Sequence, residues 1–262
     1  GKAAIMPIHR WLPAAMVAPT PVSALLHAVA VVKAGVFSFL MVVVYIIGPD
    51  YLLQSKASNW LVWLSSFTIL TASIIAISKD DLKARLAYST ISQLSYIILG
   101  AALATTFALK GASFHIITHA LGKITLFFCA GAIYVTAHVK KISELGGLGF
   151  KTPMVFFAYT LGALSIIGVP PLIGSWSKLF LVIGSLEADF LFVAVLLGIS
   201  SLLNIYYLLQ PVFIAFNKKN IKNINITKAP LTIWPPVITG VGCLFLFFFS
   251  NYFLNIINGV VA

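Results

Sequence analysis

Long apolar runs separated by short polar connections dominate the chain. After an opening stub, the runs cover residues 22–47, 60–78, 83–106, 112–137, 153–184, 190–216 and 234–257. An apolar helix of about 20 residues spans a bilayer, and these runs do not alternate as the strands of a barrel would. The pattern predicts an all-α, polytopic membrane protein with about seven to eight transmembrane helices.

The composition agrees with a membrane protein. Of the 262 residues, 60% are hydrophobic and only 9% are charged, whereas soluble domains carry about 25% charged residues. The net charge of +11 is spread over the connections, so it does not indicate a nucleic-acid surface. Cys129 and Cys243 lie in apolar runs without metal-ligand spacing. Neither a metal site nor a cofactor site is predicted.

The basic residues predict how the chain lies in the membrane. Alternate connections hold almost all of the loop charge: Arg10; Lys79, Lys83 and Arg85; Lys140, Lys141 and Lys151; and Lys218, Lys219, Lys222 and Lys228. Of the basic residues, the intervening connections hold only Lys56 and Lys110, together with the acidic Asp50, Glu187 and Asp189. Because cytoplasmic loops collect Lys and Arg, we expect the first set on the cytoplasmic side of the cell inner (plasma) membrane and the C-terminus on the opposite side.

Four lysines fall in or at the edge of apolar runs, where no acidic residue accompanies them: Lys2, Lys33, Lys123 and Lys178. A charged lysine in mid-membrane costs about 2.5 to 3.5 kcal/mol on insertion scales, and such residues usually face a bundle interior. Since burial favours the neutral form of a lysine, these side chains can accept and release protons.

The segment "FHIITHALGKITLFF" places three titratable groups at intervals of four. His115, His119 and Lys123 therefore share one helical face, about 6 Å apart per step, and could relay protons through water. The alternative is that the histidines only hydrogen-bond a neighbouring helix. His27 and Lys33 are six residues apart and do not align on an ideal helix, and Lys33 could simply extend to the membrane surface.

Prolines and glycines predict breaks in the apolar helices. In "GVPPLIGSWSK", Pro170, Pro171 and Gly174 precede Lys178, and Pro7 follows Lys2. Interrupted transmembrane helices often place a side chain at an ion site near the membrane midplane, although a simple kink is the alternative. In "KDDLKARLAYS", the two aspartates are explained by a solvated helix cap.

Several motifs resemble one family. "GKAAIMPIHRWLPAAMVAPTPVSALLHAVAVVKAGVF", "DDLKARLAYSTISQLSYIILG", "HIITHALGKITLFFCAGAIY" and "GVPPLIGSWSK" are similar to the antiporter-like subunits of respiratory complex I, Mrp cation/proton antiporters and membrane-bound hydrogenases. The resemblance implies the C-terminal half of a fourteen-helix fold with two inverted repeats, present here as a single transmembrane domain. Residues 1–47 would then be helices seven and eight, residues 60–216 the second repeat (helices nine to thirteen), and residues 234–257 the last helix.

The resemblance also implies roles for the intramembrane bases. Lys2 would be the lysine of the broken seventh helix, with its glutamate partner upstream of Gly1, and Lys178 the lysine of the broken twelfth helix. The relay positions would be His27 and Lys33 on the eighth helix and His115, His119 and Lys123 on the eleventh.

The details lean towards one branch of the family. Lys33, "SWSKLFL" and "SSLLNIYYLLQPVF" look most like the D-type proton-conducting transporters of the Mrp antiporters, which implies a proton-translocating subunit of a sodium/proton antiporter that works with other membrane subunits. The alternatives are a proton-pumping subunit of an NADH-quinone oxidoreductase or membrane-bound hydrogenase, whose enzymatic activity would belong to the complex, and a structural subunit that conducts nothing. The complex I subunit related to it by position has a glutamate where this chain has Lys178.

Overall fold

The structure, a computed structural model, describes residues 1–26, 30–217, 227 and 229–261. These residues form a bundle of helices, and the one strand-like pairing among them is an isolated bridge between Asp81 and Lys141. The predicted all-α fold is confirmed for this part of the chain. His27 lies outside the described residues.

The described α-helices vary from single turns to one of 32 residues. They are α1 (Trp11–Ala14), α2 (Thr20–Ala24), α3 (Val31–Met41), α4 (Pro49–Ser55), α5 (Asn59–Ser78), α6 (Leu82–Leu103), α7 (Thr106–Ala137), α8 (Leu148–Lys151), α9 (Pro153–Ile167), α10 (Gly174–Glu187), α11 (Leu191–Ala215), α12 (Trp234–Phe248) and α13 (Ser250–Val261). A π-helical turn, Val42–Ile47, extends α3.

Five helical segments in the described residues are long and apolar enough to cross a membrane. They are α5, α6, α7, α11, and α12 together with the turn that precedes it, and a sixth is gained if Val31–Ile47 and the bent Pro49–Ser55 form one span. The predicted number was higher because the run 153–184, all of which is described, contains no helix long enough to count as a span, and the run 22–47 counts only when joined to the bent Pro49–Ser55. Residues 153–184 form α9 and most of α10, and residues 234–257 form α12 and most of α13.

Helix α7 lies at the centre of the bundle, in contact with α6, α9, α10 and α12. Small residues allow it to approach α10 closely. A Cβ atom built on Gly111 would lie 2.8 Å from the Leu181 backbone nitrogen, and one on Gly184 would lie 2.3 Å from that of Ala108. Close approach through small residues is typical of membrane helices, and here it brings the polar side chains of α7 within reach of α10.

The predicted cytoplasmic connections meet at one end of the bundle. The backbones of Asp81 and Lys141 form the isolated bridge, and the Lys83 ammonium donates to the Ala18 carbonyl at 2.7 Å. Arg85, counted with these connections in the sequence, lies in the first turn of α6, and its side chain is buried. Four basic residues of the last such connection lie outside the described residues: Lys218, Lys219, Lys222 and Lys228.

The two aspartates at this end accept hydrogen bonds from the start of α6 and from the connection that contains Ser143, which agrees with the predicted helix cap. Asp81 accepts a hydrogen bond from the Ala84 backbone at 2.8 Å. Asp80 accepts from the Ser143 backbone at 3.0 Å and from its hydroxyl at 2.8 Å. Slight burial of the Asp80 carboxylate opposes its charge, but the Ser143 hydrogen bonds and the charges of Lys141 and Arg85 outweigh this and lower the Asp80 pKa.

Candidate functional site

Lys33 on α3 contacts a histidine of the central helix. Its side chain is only 7% exposed, and its ammonium nitrogen lies 2.7 Å from Nδ1 of His119 on α7. Lys33 therefore points into the protein and does not reach the membrane surface. The hydrogen bond joins two titratable groups that are 86 residues apart in the sequence.

His119 is preceded on the same face of α7 by His115. The two ring centroids lie 6.0 Å apart, as expected for residues one turn apart. His115 Nδ1 lies 3.0 Å from the hydroxyl of Ser177 on α10, and the Tyr96 ring stacks against the His115 imidazole at a centroid distance of 5.5 Å. Ser177 directly precedes Lys178. Buried polar groups thus connect α3, α7 and α10.

The hydrogen bonds fix where neutral His115 carries its proton. The Ser177 hydroxyl donates to the Gly174 carbonyl at 2.9 Å, so its single hydrogen is already used. His115 Nδ1 must then donate to Ser177, which leaves Nε2 as the acceptor. This buried Nε2 has no hydrogen-bond partner among the described residues, so it is the atom on which His115 would take up a second proton.

Lys123 is fully buried, but its hydrogen bonds run to α6 and not along the histidine face. Its ammonium donates to the Ser89 hydroxyl at 2.6 Å and to the Leu86 carbonyl at 3.3 Å. The Ser89 hydroxyl lies 3.0 Å from that of Tyr207 on α11, which also bonds the side-chain oxygen of Asn204. Lys123 therefore begins a different hydrogen-bonded chain from the one that contains His119.

Lys178 lies in the second turn of α10, just after the break between α9 and α10. It is half-buried, its ammonium donates to the Ser201 hydroxyl on α11 at 3.0 Å, and its nitrogen lies 5.2 Å from the centroid of the Tyr96 ring. An ammonium over an aromatic face is stabilised by the ring quadrupole. A cavity of about 550 Å³ reaches Lys178, with Trp176 and Phe247 in its wall.

The break before α10 is closely packed. Residues 168–173, which include Pro170 and Pro171, are not helical. A Cβ atom on Gly174 would lie 1.7 Å from the Ser165 carbonyl oxygen, and Gly168 has a φ of +91°, which favours glycine. These two glycines let the ends of α9 and α10 meet beside the Lys178 side chain.

The structure does not connect Lys2 to the other bases. Residues 1–10, which include Pro7, form turns, and the Lys2 side chain is exposed. Its backbone packs on α3, where a Cβ atom on Gly35 would lie 2.7 Å from Lys2 Cβ. No hydrogen bond within the described part of the chain involves the Lys2 ammonium.

Sequence reasoning missed the hydroxyl groups that link the bases: Ser89, Tyr96, Ser177, Ser201 and Tyr207. A helical-period signal was available, since residues 89, 93 and 96 on α6 and residues 200, 204 and 207 on α11 are polar at steps of four and three. Within the described ranges no three His, Cys, Asp or Glu side chains could hold a metal ion. The groups present can donate, accept and exchange protons.

A helical membrane bundle with lysines and histidines buried in its middle defines the class of protein, and comparison with known proteins identifies the family. Residues 1–204 match the family model described as "NADH:quinone oxidoreductase/Mrp antiporter, TM". The chain therefore belongs to this family and is an antiporter-like membrane subunit.

Individual relatives agree. Over 222 residues, 83% of the chain, it is 39% identical to NADH-quinone oxidoreductase subunit N of Desulforudis audaxviator and covers 43% of that protein. The fold resembles the Mrp complex of Dietzia sp. with a TM-score of 0.89 at 22% identity, over 100% of this chain and 56% of that one. Respiratory complex I of Thermus thermophilus gives 0.78 at 25% identity, covering 97% and 55%. The chain spans about half the length of these proteins.

Proposed function

We propose that this chain carries protons through the middle of the membrane along its buried lysines and histidines, as part of a larger membrane complex. The observation that carries the proposal is the connection from Lys33 through His119 and His115 to Ser177, next to Lys178. It joins three helices through groups that are almost wholly shielded from solvent. Bases are costly in a membrane and are retained there mainly for function.

The Lys33–His119 pair is suited to passing a proton on, because it does not hold two protons between its facing nitrogens. A hydrogen bond between an ammonium nitrogen and an imidazole nitrogen needs one donor and one acceptor, so the bonded pair cannot hold a proton on both facing nitrogens. Two positive charges at 2.7 Å would also repel strongly in a medium of low dielectric constant. A proton that arrives at one member therefore promotes release from the other.

The remaining bases would extend the pathway. Lys123 is the central base, Lys178 exchanges protons with the cavity at the α9–α10 break, and Lys2 and His27 contribute upstream. Coupling between successive charges would link these proton steps to work done elsewhere in the complex.

Two complexes are supported by different observations. A lysine at position 178 and the motif around it favour an Mrp-type sodium/proton antiporter. The 39% identity to subunit N favours an NADH-quinone oxidoreductase. Purification of the full-length protein from its native membrane with its associated subunits, followed by mass spectrometry, separates the two, since one contains redox subunits and the other a set of small antiporter subunits.

The orientation of the chain is also part of the proposal. We place it in the plasma membrane with the C-terminus on the non-cytoplasmic side. This is supported by the way in which the connections around Arg10, Lys83 and Lys141 meet at one end of the bundle. Cysteine labelling of intact cells at exposed loop positions tests it.

The conduction proposal is tested with the full-length protein in its complex, reconstituted into vesicles with a pH-sensitive dye. Lys123→Ala should lower proton movement at least about tenfold. Lys110→Ala is the matched control, because Lys110 lies on the same helix but near its end, beside the Phe107 ring. We expect Lys110→Ala to transport normally. A normally assembled Lys123→Ala complex with unchanged transport would leave only a structural role for the chain.

A further inference from the structure

The polar face of α11 has no role in the pathway so far. Ser200, Asn204 and Tyr207 follow one another at steps of four and three and are fully buried in a helix whose other residues are mostly apolar. Ser201 lies beside this face. Since burial of unpaired polar groups in a membrane protein is costly, a polar face of this length calls for an explanation.

One end of the face reaches Lys123. The Tyr207 hydroxyl bonds both Asn204 Oδ1 and Ser89, but it has a single hydrogen, and a carboxamide oxygen can only accept. When Tyr207 donates to Asn204, Ser89 must donate to Tyr207 and accept from Lys123. The three bonds then all point from Lys123 towards Asn204.

The other end of the face reaches Lys178. Its ammonium donates to the Ser201 hydroxyl at 3.0 Å. Ser201 and Tyr207 are six residues apart, which is about 9 Å along the helix axis. The α11 face therefore spans the gap between the hydrogen-bonded surroundings of the two lysines.

Three buried polar atoms within this gap have no hydrogen-bond partner among the described residues: Ser200 Oγ, Asn204 Nδ2 and the Tyr96 hydroxyl. The Tyr96 hydroxyl nevertheless faces Ser200, Ser201 and Asn204, within the range of polar interaction. A water molecule needs two to four polar partners to be held inside a protein. Ser200 Oγ, Asn204 Nδ2 and the Tyr96 hydroxyl would supply that number of partners.

We propose that Ser89, Tyr207 and Asn204, with water held by Asn204, Ser200 and Tyr96, form a hydroxyl relay that passes protons between Lys123 and Lys178 without using His115. The relay rests on the proposed conduction function and names one segment of it, the segment that joins Lys123 to Lys178. Lys33, His119 and His115 form the other segment, and protons have to cross both.

The proton balance of the relay is simple. Protonated Lys123 gives a proton to Ser89 while Ser89 gives its own to Tyr207, and the Tyr207 hydroxyl, turned from Asn204 Oδ1 towards the bound water, passes its hydrogen to that water. The water releases a proton towards the neutral Lys178 amine. Each hydroxyl gains one hydrogen and loses one, so neither keeps a charge, and rotation of the hydroxyls restores the starting arrangement. Asn204 orients Tyr207 and the water and is not itself protonated.

Tyr207→Phe in the full-length complex tests the relay, because it removes the hydroxyl and keeps the ring. Proton movement in vesicles should fall at least about tenfold. Tyr159→Phe is the matched control: Tyr159 is also fully buried, and its hydroxyl has no partner among the described residues, so this variant should transport normally. Equal losses in both variants, or no loss in Tyr207→Phe, would overturn the relay.

Ser89 provides a second test that does not depend on how Tyr207→Phe assembles. Ser89→Ala should lose transport, and Ser89→Thr, which keeps a hydroxyl, should recover most of it. Loss in both variants, or in neither, would contradict the relay. The Lys123→Ala variant distinguishes a wrong relay from a wrong conduction proposal. If Lys123→Ala stops transport while both hydroxyl variants conduct, the relay is wrong and the conduction proposal stands.

Discussion

Two buried cations are linked by hydrogen bonds to Tyr207, and their surroundings differ in whether a proton can leave. Arg85 is 3% exposed and Lys123 is 0% exposed, and the hydrogen bonds of both run to carbonyl and hydroxyl groups or to an amide. Arg85 bonds the Tyr207 backbone carbonyl, whereas Lys123 reaches the Tyr207 hydroxyl through Ser89. Helix α11 therefore contacts Arg85 through a backbone carbonyl and is linked to Lys123 through side-chain hydroxyls.

Arg85 is held as a permanent charge. Its guanidinium donates to the Lys79 carbonyl at 2.8 Å, the Gln210 side chain at 2.5 Å, and the Tyr207 and Ile77 carbonyls at 3.3 Å each. A guanidinium does not lose its proton in proteins. The carbonyls at the end of α5 and on α11 thus compensate a charge that cannot move, and Arg85 fastens these helices to α6.

Lys123 has fewer partners and a removable proton. It bonds one hydroxyl and one carbonyl, and the hydroxyl can both accept and donate. Burial alone therefore does not show that a cation takes part in proton transfer. The acceptors around it, and whether its proton can leave, decide between an anchor and a carrier.

The sharpest way to break this comparison is to give Lys123 the chemistry of Arg85. Lys123→Arg keeps the charge but cannot release a proton, so we expect proton movement to fall to background, at least about a hundredfold. Vesicle assays on the assembled complex measure it. An active Lys123→Arg complex would mean that only the charge at this position is needed.

The reverse substitution tests whether the stabilising effect of Arg85 needs its several hydrogen-bond donors as well as its positive charge. Arg85→Lys keeps the charge but loses the fork of donors, and we expect the free energy of unfolding to fall by about 2 to 3 kcal/mol. Thermal unfolding of the purified protein in detergent measures this. Complexes that do assemble should still move protons, and a stable variant with lost transport would make Arg85 part of the pathway.

Removal of one acceptor should have a smaller effect. Gln210→Leu deletes the 2.5 Å charge-assisted hydrogen bond from Arg85, and we expect a loss of about 1.5 kcal/mol in the same unfolding assay. Gln54→Leu, at an exposed position on α4, serves as the control and should change stability little. If the two variants were equally stable, the Gln210 contact would add nothing to the anchor.

The smallest effect is expected at the exposed Asp80, next to the Arg85 anchor. Because its pKa in the folded protein is lowered, its contribution to stability is present above the unfolded carboxylate pKa and is lost as pH falls through the folded value. Asp80→Asn should cost about 0.5 kcal/mol at pH 7. The difference from wild type should shrink as the pH falls below the unfolded carboxylate pKa of about 3.9. A difference in the free energy of unfolding that stayed constant as the pH was lowered would contradict the interpretation.

Much of the fold could be predicted because the membrane imposes it. Apolar run lengths located α5, α6, α7 and α11 closely, since a helix is the economical way to pair backbone groups in lipid. The division of residues 153–184 was expected from Pro170 and Pro171, but the turn at Phe249 has no comparable local signal. The assignment of residues 1–47 and 60–216 to inverted repeats remains a prediction.

The candidate site was predictable only in part. The spacing of His115, His119 and Lys123 predicts one face of one helix, and the ring distance of 6.0 Å agrees with it. The same spacing suggested that Lys123 continues the histidine series, whereas its hydrogen bonds go to α6. A lysine side chain is long enough to choose among neighbours, and periodicity does not say which neighbour offers an acceptor.

The sequence by itself determined the class of protein, most of the helical spans and most of the buried bases, because hydrophobic length and residue spacing are local properties. Only the tertiary structure decided which bases meet. Lys33 joins His119 and Arg85 becomes an anchor because helices that are distant in the sequence pack side by side. Hydrogen bonds of 2.5 to 3.3 Å form only where that packing brings donor and acceptor together. The acceptors that each buried cation finds distinguish the proposed proton carrier Lys123 from the structural Arg85.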